Sequence, residues 1–94
     1  MQKLGKTKKF TWDRWNKDKN WAKHKVTNQE CEELFFDESK KILKDVLHSK
    51  NEDRYILIGK TKLNRLLFLV FTIRRNKIRV ISARDLNRKE KKFY

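Results

Sequence analysis

The chain has 94 residues, of which 26 are Lys or Arg and 12 are Asp or Glu, so its net charge is +14. This length fits one domain, and the presence of only 2 glycines and no proline excludes collagen-like and Pro/Gly-rich low-complexity proteins. The single cysteine, Cys31, excludes an internal disulfide framework and a multi-cysteine zinc site, and it favours a reduced, cytoplasmic setting.

The N-terminal part of the chain is basic and then becomes helical in pattern. Residues 1–9 are polar and rich in lysine, which predicts a mobile leader without a signal peptide, followed by a single domain over 10–94. A short first strand is predicted near 8–11. Asp13 is a suitable N-cap for a helix that continues to about Lys23.

A second helix is predicted from the spacing Thr27-x-x-Glu30. This is the pattern of a capping box, in which the threonine hydroxyl and the glutamate carboxylate each accept a hydrogen bond from a backbone N–H of the first turn. Apolar residues follow at helical spacing and define its buried face: Cys31, Leu34 and Phe35.

The remainder of the chain predicts antiparallel strands and a final helix. The strands are an edge strand within 42–47, a strand over 55–58 that ends at a turn at Gly59, a central strand over 66–73 covered on both faces, and its hairpin partner over 78–83 after a turn at 75–77. Asn87-x-x-Glu90 predicts the start of a basic helix that runs to Tyr94. The predicted fold class is α+β, with helices packed on an antiparallel sheet of about four strands.

The charge is unevenly distributed along these elements. Residues 1–29 carry a net charge of +7, residues 30–53 carry −4 and residues 54–94 carry +11. A basic domain with one acidic segment is expected to bind a polyanion through one surface. No basic segment has the wide apolar face of a membrane-binding helix, so nucleic acid is the favoured partner. A basic domain without such a partner is the alternative.

Several short segments resemble one known family when they are taken in order. They are Phe10-Thr-Trp12-Asp13, Asn20-x-x-Lys23-His24-x-Val26, Arg54-Tyr55 with Gly59, Arg65-Leu-Leu, Phe71-Thr72-x-Arg74, Ile78-Arg79-Val80-Ile81-Ser82-Ala83-Arg84 and Glu90-x-x-x-Tyr94. This set is similar to the signature of the BrnT toxins. The chain departs from the family pattern at three places: Asn16, Lys25 and the stretch 28–31.

The resemblance implies a RelE-like fold with two N-terminal helices and one C-terminal helix. It also implies a prokaryotic ribonuclease toxin of a type II toxin–antitoxin system, which cleaves RNA and inhibits translation and growth. The implied partners are the RNA substrate and a BrnA-like antitoxin with a ribbon-helix-helix domain, in a 2:2 heterotetramer. Contact with operator DNA would come only through that antitoxin, and no membrane is involved.

RNA cleavage requires a base for the 2′-hydroxyl, cations for the charged transition state and an acid for the leaving 5′-oxygen. The basic segments contain no cluster of carboxylates that would hold a metal ion, which favours a metal-independent endoribonuclease without a cofactor. Residues in the matched segments supply the predicted catalytic groups: Arg84, Arg65, Glu90 and His24. The predicted RNA-binding residues are Arg79, Arg74, Tyr94 and Arg88.

Each candidate also has a structural interpretation. Arginine binds phosphate through a planar fork, but arginines at strand ends and turns are also commonly solvated. Glu90 could simply cap the last helix, and His24 could interact with the C-terminal dipole of the first helix. Arg79 and Arg84 lie on opposite faces of a regular strand, so both line one site only with a twist, a bulge or an end effect. His48, in a polar loop, is assigned no role.

Two further functions remain open on this sequence. One is a non-catalytic RNA- or DNA-binding module, which needs the same basic surface. The other is an inactive toxin relic that still binds its antitoxin, as the departures at Asn16 and Lys25 permit. A neighbouring gene for a short ribbon-helix-helix protein would favour the toxin, and failure to inhibit growth on expression would favour the binding module.

Overall fold

The structure is a computed structural model that describes residues 9–14 and 18–94. Two α-helices precede a four-stranded antiparallel sheet with the strand order β1-β2-β3-β4. The elements are α1 (Lys19–His24), α2 (Asn28–Leu34), β1 (Lys41–Lys44), β2 (Arg54–Lys60), β3 (Leu66–Arg74) and β4 (Lys77–Asp85), with short 3₁₀ helices at Val46–His48 and Glu90–Phe93. This architecture agrees with the predicted α+β class. The predicted leader, apart from Lys9, lies outside the described residues.

The two helices differ in how well the sequence predicts them. At the start of α2 the Thr27 hydroxyl accepts a hydrogen bond from Glu30 N at 3.0 Å, and Glu30 Oε1 accepts one from Thr27 N at 2.9 Å, which confirms the capping box. Of the helix predicted from Asp13 to about Lys23, the structure describes α1, which begins at Lys19, and the Asp13 carboxylate accepts a hydrogen bond from Arg79. Residues 15–17 of the predicted first helix lie outside the described residues.

The turn between β3 and β4 has the geometry expected of a tight hairpin. Arg75 and Asn76 both have positive φ, 51° and 63°, which is the conformation of a two-residue type I′ turn. The prediction of a turn after Gly59 is wrong, because this glycine lies inside β2. A Cβ atom there would come within 3.3 Å of Leu34 Cγ and Asp37 Oδ2, so glycine permits the end of α2 to approach the strand closely.

The helices cover one face of the sheet and build the core there. Leu34 and Phe35 from the end of α2 are buried against Leu69 and Phe71 of β3, and the rings of Phe35 and Phe71 meet edge to face at 5.0 Å. Burial alternates along β3, since residues of the opposite face remain partly exposed. The prediction that both faces of this strand are covered is therefore wrong.

The C-terminal helix differs from the prediction. Glu90–Phe93 forms a 3₁₀ helix of four residues rather than a terminal α-helix, although the capping pattern at its start is present.

The edge strand predicted within 42–47 is confirmed as β1, but its second half forms the 3₁₀ helix Val46–His48. None of the helices in the described parts of the chain is long and apolar enough to cross a membrane.

Cys31 is expected to be chemically inert in the native protein. Its side chain is fully buried in the core beneath α2. Burial, assisted by the negative charges of Glu30 and Glu32, raises the pKa of the thiol to about 12, so very little thiolate exists near neutral pH. A thiol reagent at pH 8 should therefore leave the folded chain unmodified and should label one thiol per chain after unfolding in guanidinium. Rapid labelling of the native protein would contradict this packing.

Candidate functional site

The uncovered face of the sheet has an apolar centre surrounded by arginines. Residues paired directly across neighbouring strands point to the same face, and the pairs Phe68 with Arg84, Thr72 with Arg79 and Arg74 with Lys77 all lie on this side. We call it the open face. Arginine side chains from three strands lie on it: Arg54 on β2, Arg74 on β3, and Arg79 and Arg84 on β4.

A β-bulge in β4 places Arg79 and Arg84 on the same face. Val80 pairs with Phe71 and Ser82 pairs with the neighbouring Val70, so Ile81 has no partner in the ladder. One extra residue reverses the alternation of side chains beyond it. Arg79 and Arg84, which are five positions apart, therefore both point to the open face. In a regular strand they would lie on opposite faces, and the bulge is one of the irregularities that the sequence analysis names as a requirement.

Arg84 is held in a fixed orientation by Glu90 and by an aromatic ring. Its Nη1 and Nη2 each donate a hydrogen bond to one carboxylate oxygen of Glu90, both at 2.8 Å. The guanidinium carbon lies 4.2 Å from the centre of the Phe68 ring, within cation–π range. The Glu90 carboxylate also accepts a hydrogen bond from Asn87 N at 3.0 Å, so the C-terminal turn positions the whole pair.

Each partner stabilises the charge of the other. The hydrogen bonds from Arg84 hold the pKa of Glu90 below its usual range, although partial burial opposes this. The Glu90 carboxylate in turn raises the pKa of Arg84. Both groups are therefore ionised at neutral pH, and an ionised Glu90 with a lowered pKa is a weak proton acceptor.

A groove on the open face contains a histidine to which the sequence interpretation assigns no role. The groove has a volume of about 450 Å³ and is lined by His48 together with Asp45, Arg54, Phe68, Ser82 and four apolar residues. His48 Nδ1 lies 2.9 Å from Asp45 Oδ2. A carboxylate at Nδ1 orients an imidazole and leaves Nε2 available for proton transfer. The spacing Asp45-x-x-His48 is the sequence signal that could have indicated this pair.

The other predicted RNA-binding residues have different surroundings. Arg79 donates a hydrogen bond to the Asp13 carboxylate, and Arg74 donates two to the carboxylate of Glu52, both at 2.8 Å. The bonds from Arg74 hold the pKa of Glu52 below its usual range. Arg88 is exposed just beyond β4. Three of the open-face arginines thus each bind an internal carboxylate, counting Arg84 with Glu90.

Tyr94 does not join this group. Its hydroxyl donates a hydrogen bond of 2.7 Å to Asp37, beyond the C-terminal end of α2. Burial and this hydrogen bond raise the pKa of the Tyr94 phenol to about 12. This hydrogen bond holds the C-terminal residue against the turn that follows α2.

Arg65 binds carboxylates and backbone oxygens on the side of the sheet that the helices cover. Nε and Nη2 donate to the two carboxylate oxygens of Asp85, at 2.7 and 3.1 Å, and Nη1 lies 3.2 Å from both carboxylate oxygens of Glu30. Nη1 and Nη2 also donate to the backbone oxygens of Lys25 and His24, at 2.8 and 3.2 Å. This arginine therefore links β3, β4 and the segment that joins the two helices.

The structure thus divides the four residues predicted to be catalytic into two pairs. Arg84 and Glu90 lie together on the open face. Arg65 and His24 meet on the other side of β4, where the histidine contributes its backbone oxygen. Asp85, which binds Arg65, pairs with Leu67 on the core face, whereas the adjacent Arg84 points to the open face.

Metal ligands do not cluster on either side of the sheet among the described residues. Within residues 9–14 and 18–94, no group of three or more His, Cys, Asp or Glu side chains could hold a metal ion. The carboxylates of the open face, Asp13, Glu52 and Glu90, each bind an arginine.

A comparison with protein families finds one match over most of this chain. The model of a family described as "Ribonuclease toxin, BrnT, of type II toxin-antitoxin system" matches residues 12–90. The matched range contains both members of the Arg84–Glu90 pair and the strands that carry the open face. No curated protein matches the chain.

Proposed function

The chain belongs to the BrnT family of ribonuclease toxins of type II toxin–antitoxin systems, and we propose that it cuts RNA on the open face without a metal ion. The observation that carries this proposal is the orientation of Arg84. A guanidinium held by a carboxylate and stacked on a ring is fixed before substrate arrives, so little reorganisation is needed when charge develops on a phosphate.

The proposed reaction is an internal transfer of the phosphodiester. The 2′-oxygen forms a bond to phosphorus and gives up its proton, while the bond from phosphorus to the 5′-oxygen breaks and that oxygen takes up a proton. The products are a 2′,3′-cyclic phosphate and a 5′-hydroxyl. Arg84 stabilises the negative charge on the non-bridging oxygens in the transition state.

We assign Glu90 to positioning Arg84 rather than to removing the proton. Both of its carboxylate oxygens already accept hydrogen bonds from the guanidinium, and its lowered pKa makes it a poor base. Arg65 is likewise a positioning residue, because its bonds to Asp85 and Glu30 hold the end of β4 that carries Arg84.

We assign proton transfer to His48 rather than to the His24 predicted from the sequence. His48 lines the groove that also contains Phe68, the ring on which Arg84 stacks. Its Nδ1 is bound by Asp45, so Nε2 is the nitrogen that would meet the substrate. His24 lies on the side of Arg65, away from this groove.

The test is cleavage of RNA by purified protein in the presence of EDTA, with His48→Asn and His24→Asn compared as matched variants. Wild-type cleavage should survive EDTA. We expect His48→Asn to lower the rate by about 100-fold or more, the usual contribution of one acid–base group, and His24→Asn to change it little. Loss of activity with EDTA, or the opposite ranking of the two histidines, would contradict the assignment.

The proposed partner is a BrnA-like antitoxin with a ribbon-helix-helix domain, in a 2:2 complex that contacts operator DNA through the antitoxin. Membership of a type II toxin family implies a protein antitoxin and an RNA substrate. We propose the cytoplasm of a prokaryote as the location, inhibition of translation as the consequence, and a RelE-like domain over 10–94 as the fold. Binding of RNA without cleavage by the wild type would instead indicate the non-catalytic module.

A further inference from the structure

A second pocket lies on the open face, separated from Arg84 by the β-bulge. It has a volume of about 160 Å³, and its walls are formed by Val80 and Ile81 together with the charged residues Lys19, Glu52, Arg54, Arg74 and Arg79. Ile81 and Arg84 are three positions apart along β4, about 10 Å at a rise of 3.3 Å per residue. A group bound in this pocket would therefore lie beside the reacting phosphate rather than on it.

Arg54 has an unusual position among the arginines of this face. Its Nε is buried and has no hydrogen-bond partner. The other three each bind a carboxylate, whereas Arg54 forms no ion pair in the part of the chain that the structure describes. A buried donor without a partner is unfavourable in the free protein, so a ligand in the pocket gains affinity when the Arg54 side chain turns to place this donor on it.

Lys19 brings a second cation that no carboxylate engages within the described residues. It is the first residue of α1, and its ammonium group donates a hydrogen bond of 3.2 Å to the backbone oxygen of Ile81. This contact places the ammonium in the wall of the pocket. A lysine has three donors, so two remain for a ligand.

The charge and size of the pocket indicate its ligand. Four cationic side chains face one carboxylate, Glu52, which already binds Arg74. The pocket, of about 160 Å³, is large enough to admit a tetrahedral phosphate group. Arginine with lysine is the usual combination for such an anion.

We propose that Lys19 and Arg54 bind one phosphate of the RNA chain that flanks the phosphate cut at Arg84. This site rests on the proposed function, since it names how the substrate of the same face is held. Neither residue is among the catalytic or RNA-binding residues predicted from the sequence. Binding of the flanking phosphate fixes the register of the RNA strand on the open face. The phosphate to be cut then lies at Arg84, farther along β4.

The test uses an RNA oligonucleotide with 2′-O-methyl groups, which lacks the attacking hydroxyl and stays intact whatever the activity of the protein. Binding is measured by fluorescence polarisation for Arg54→Gln, Lys19→Gln and the control Lys62→Gln. Lys62 is an exposed residue between β2 and β3, and its substitution removes the same unit charge. We expect the Kd to rise about tenfold for Arg54→Gln and several-fold for Lys19→Gln, and to change less than twofold for the control.

Two outcomes separate this proposal from the function on which it rests. Equal binding by all three variants would overturn the phosphate site, even if the wild type cleaves ordinary RNA. Selective loss of binding in the two pocket variants, without any cleavage by the wild type, would support the site and overturn the catalytic function. Lys19 is exposed at the start of a helix, so Lys19→Gln keeps the test decisive if Arg54→Gln does not fold.

Discussion

Arg84→Ala is expected to lower the rate of RNA cleavage by about 100- to 1,000-fold, the usual cost of removing one preorganised group that stabilises transition-state charge. The guanidinium is already aligned by Glu90 and Phe68, so its loss removes stabilisation that solvent water cannot replace. The measurement is single-turnover cleavage at saturating enzyme, which reports the chemical step without the contribution of substrate binding.

Arg84→Lys is the matched variant for this prediction. It keeps the positive charge but replaces the planar fork with a point charge. Arg84→Lys should therefore be more active than Arg84→Ala, and it should restore less than half of the transition-state stabilisation that Arg84→Ala removes. Arg84 is partly exposed and its ion pair contributes little stability, so both variants should melt within a few degrees of the wild type. Full activity in Arg84→Ala would place the chemistry elsewhere.

Arg65→Ala is expected to have the largest effect on stability. Its guanidinium joins Asp85 of β4, Glu30 of α2 and the backbone oxygens that follow α1, and the side chain is 27% exposed. Hydrogen bonds between charged groups contribute about 1.5–3 kcal/mol, and partial exposure reduces the sum of several such bonds, so we expect a loss of about 3 kcal/mol. For a domain of this size the midpoint of thermal unfolding should fall by about 12–24 °C.

Thermal denaturation followed by circular dichroism measures this effect, and Arg88→Ala serves as its control. Arg88 is exposed beyond the end of β4, so its substitution should change the free energy of unfolding by about 0.5 kcal/mol or less. If Arg65→Ala melts like the control but has lost cleavage, Arg65 would act on the substrate directly and its structural assignment would be wrong.

The sequence predicts the parts of this fold whose signals are local. The capping box at Thr27 and the turn at Arg75-Asn76 depend on neighbouring residues, and both are present in the structure. The positions of Asp13 and of the C-terminus depend instead on tertiary contacts. Asp13 binds Arg79, 66 residues away, and Tyr94 binds Asp37. Neither contact leaves a pattern in the chain.

The sequence likewise predicts some features of the candidate site and not others. The motif residue Arg84 and its partner Glu90 are six positions apart, so the sequence can indicate the pair. The side of the sheet on which each arginine lies depends on the bulge at Ile81, and no glycine or proline marks it. His48 lies in a polar segment without a motif, and only the fold brings it to the groove that Phe68 also lines.

Internal ion pairs on the open face also affect how salt acts on RNA binding. A protein that binds nucleic acid gains affinity when its cations displace small ions from the phosphates, and each phosphate that is neutralised contributes about −0.7 to the slope of log K against log salt for a single strand. Arg74, Arg79 and Arg84 already carry Glu52, Asp13 and Glu90 as resident counterions. These carboxylates already neutralise part of the charge that a phosphate would meet, so the ionic-strength dependence of binding reports fewer charges than the four arginines of the face.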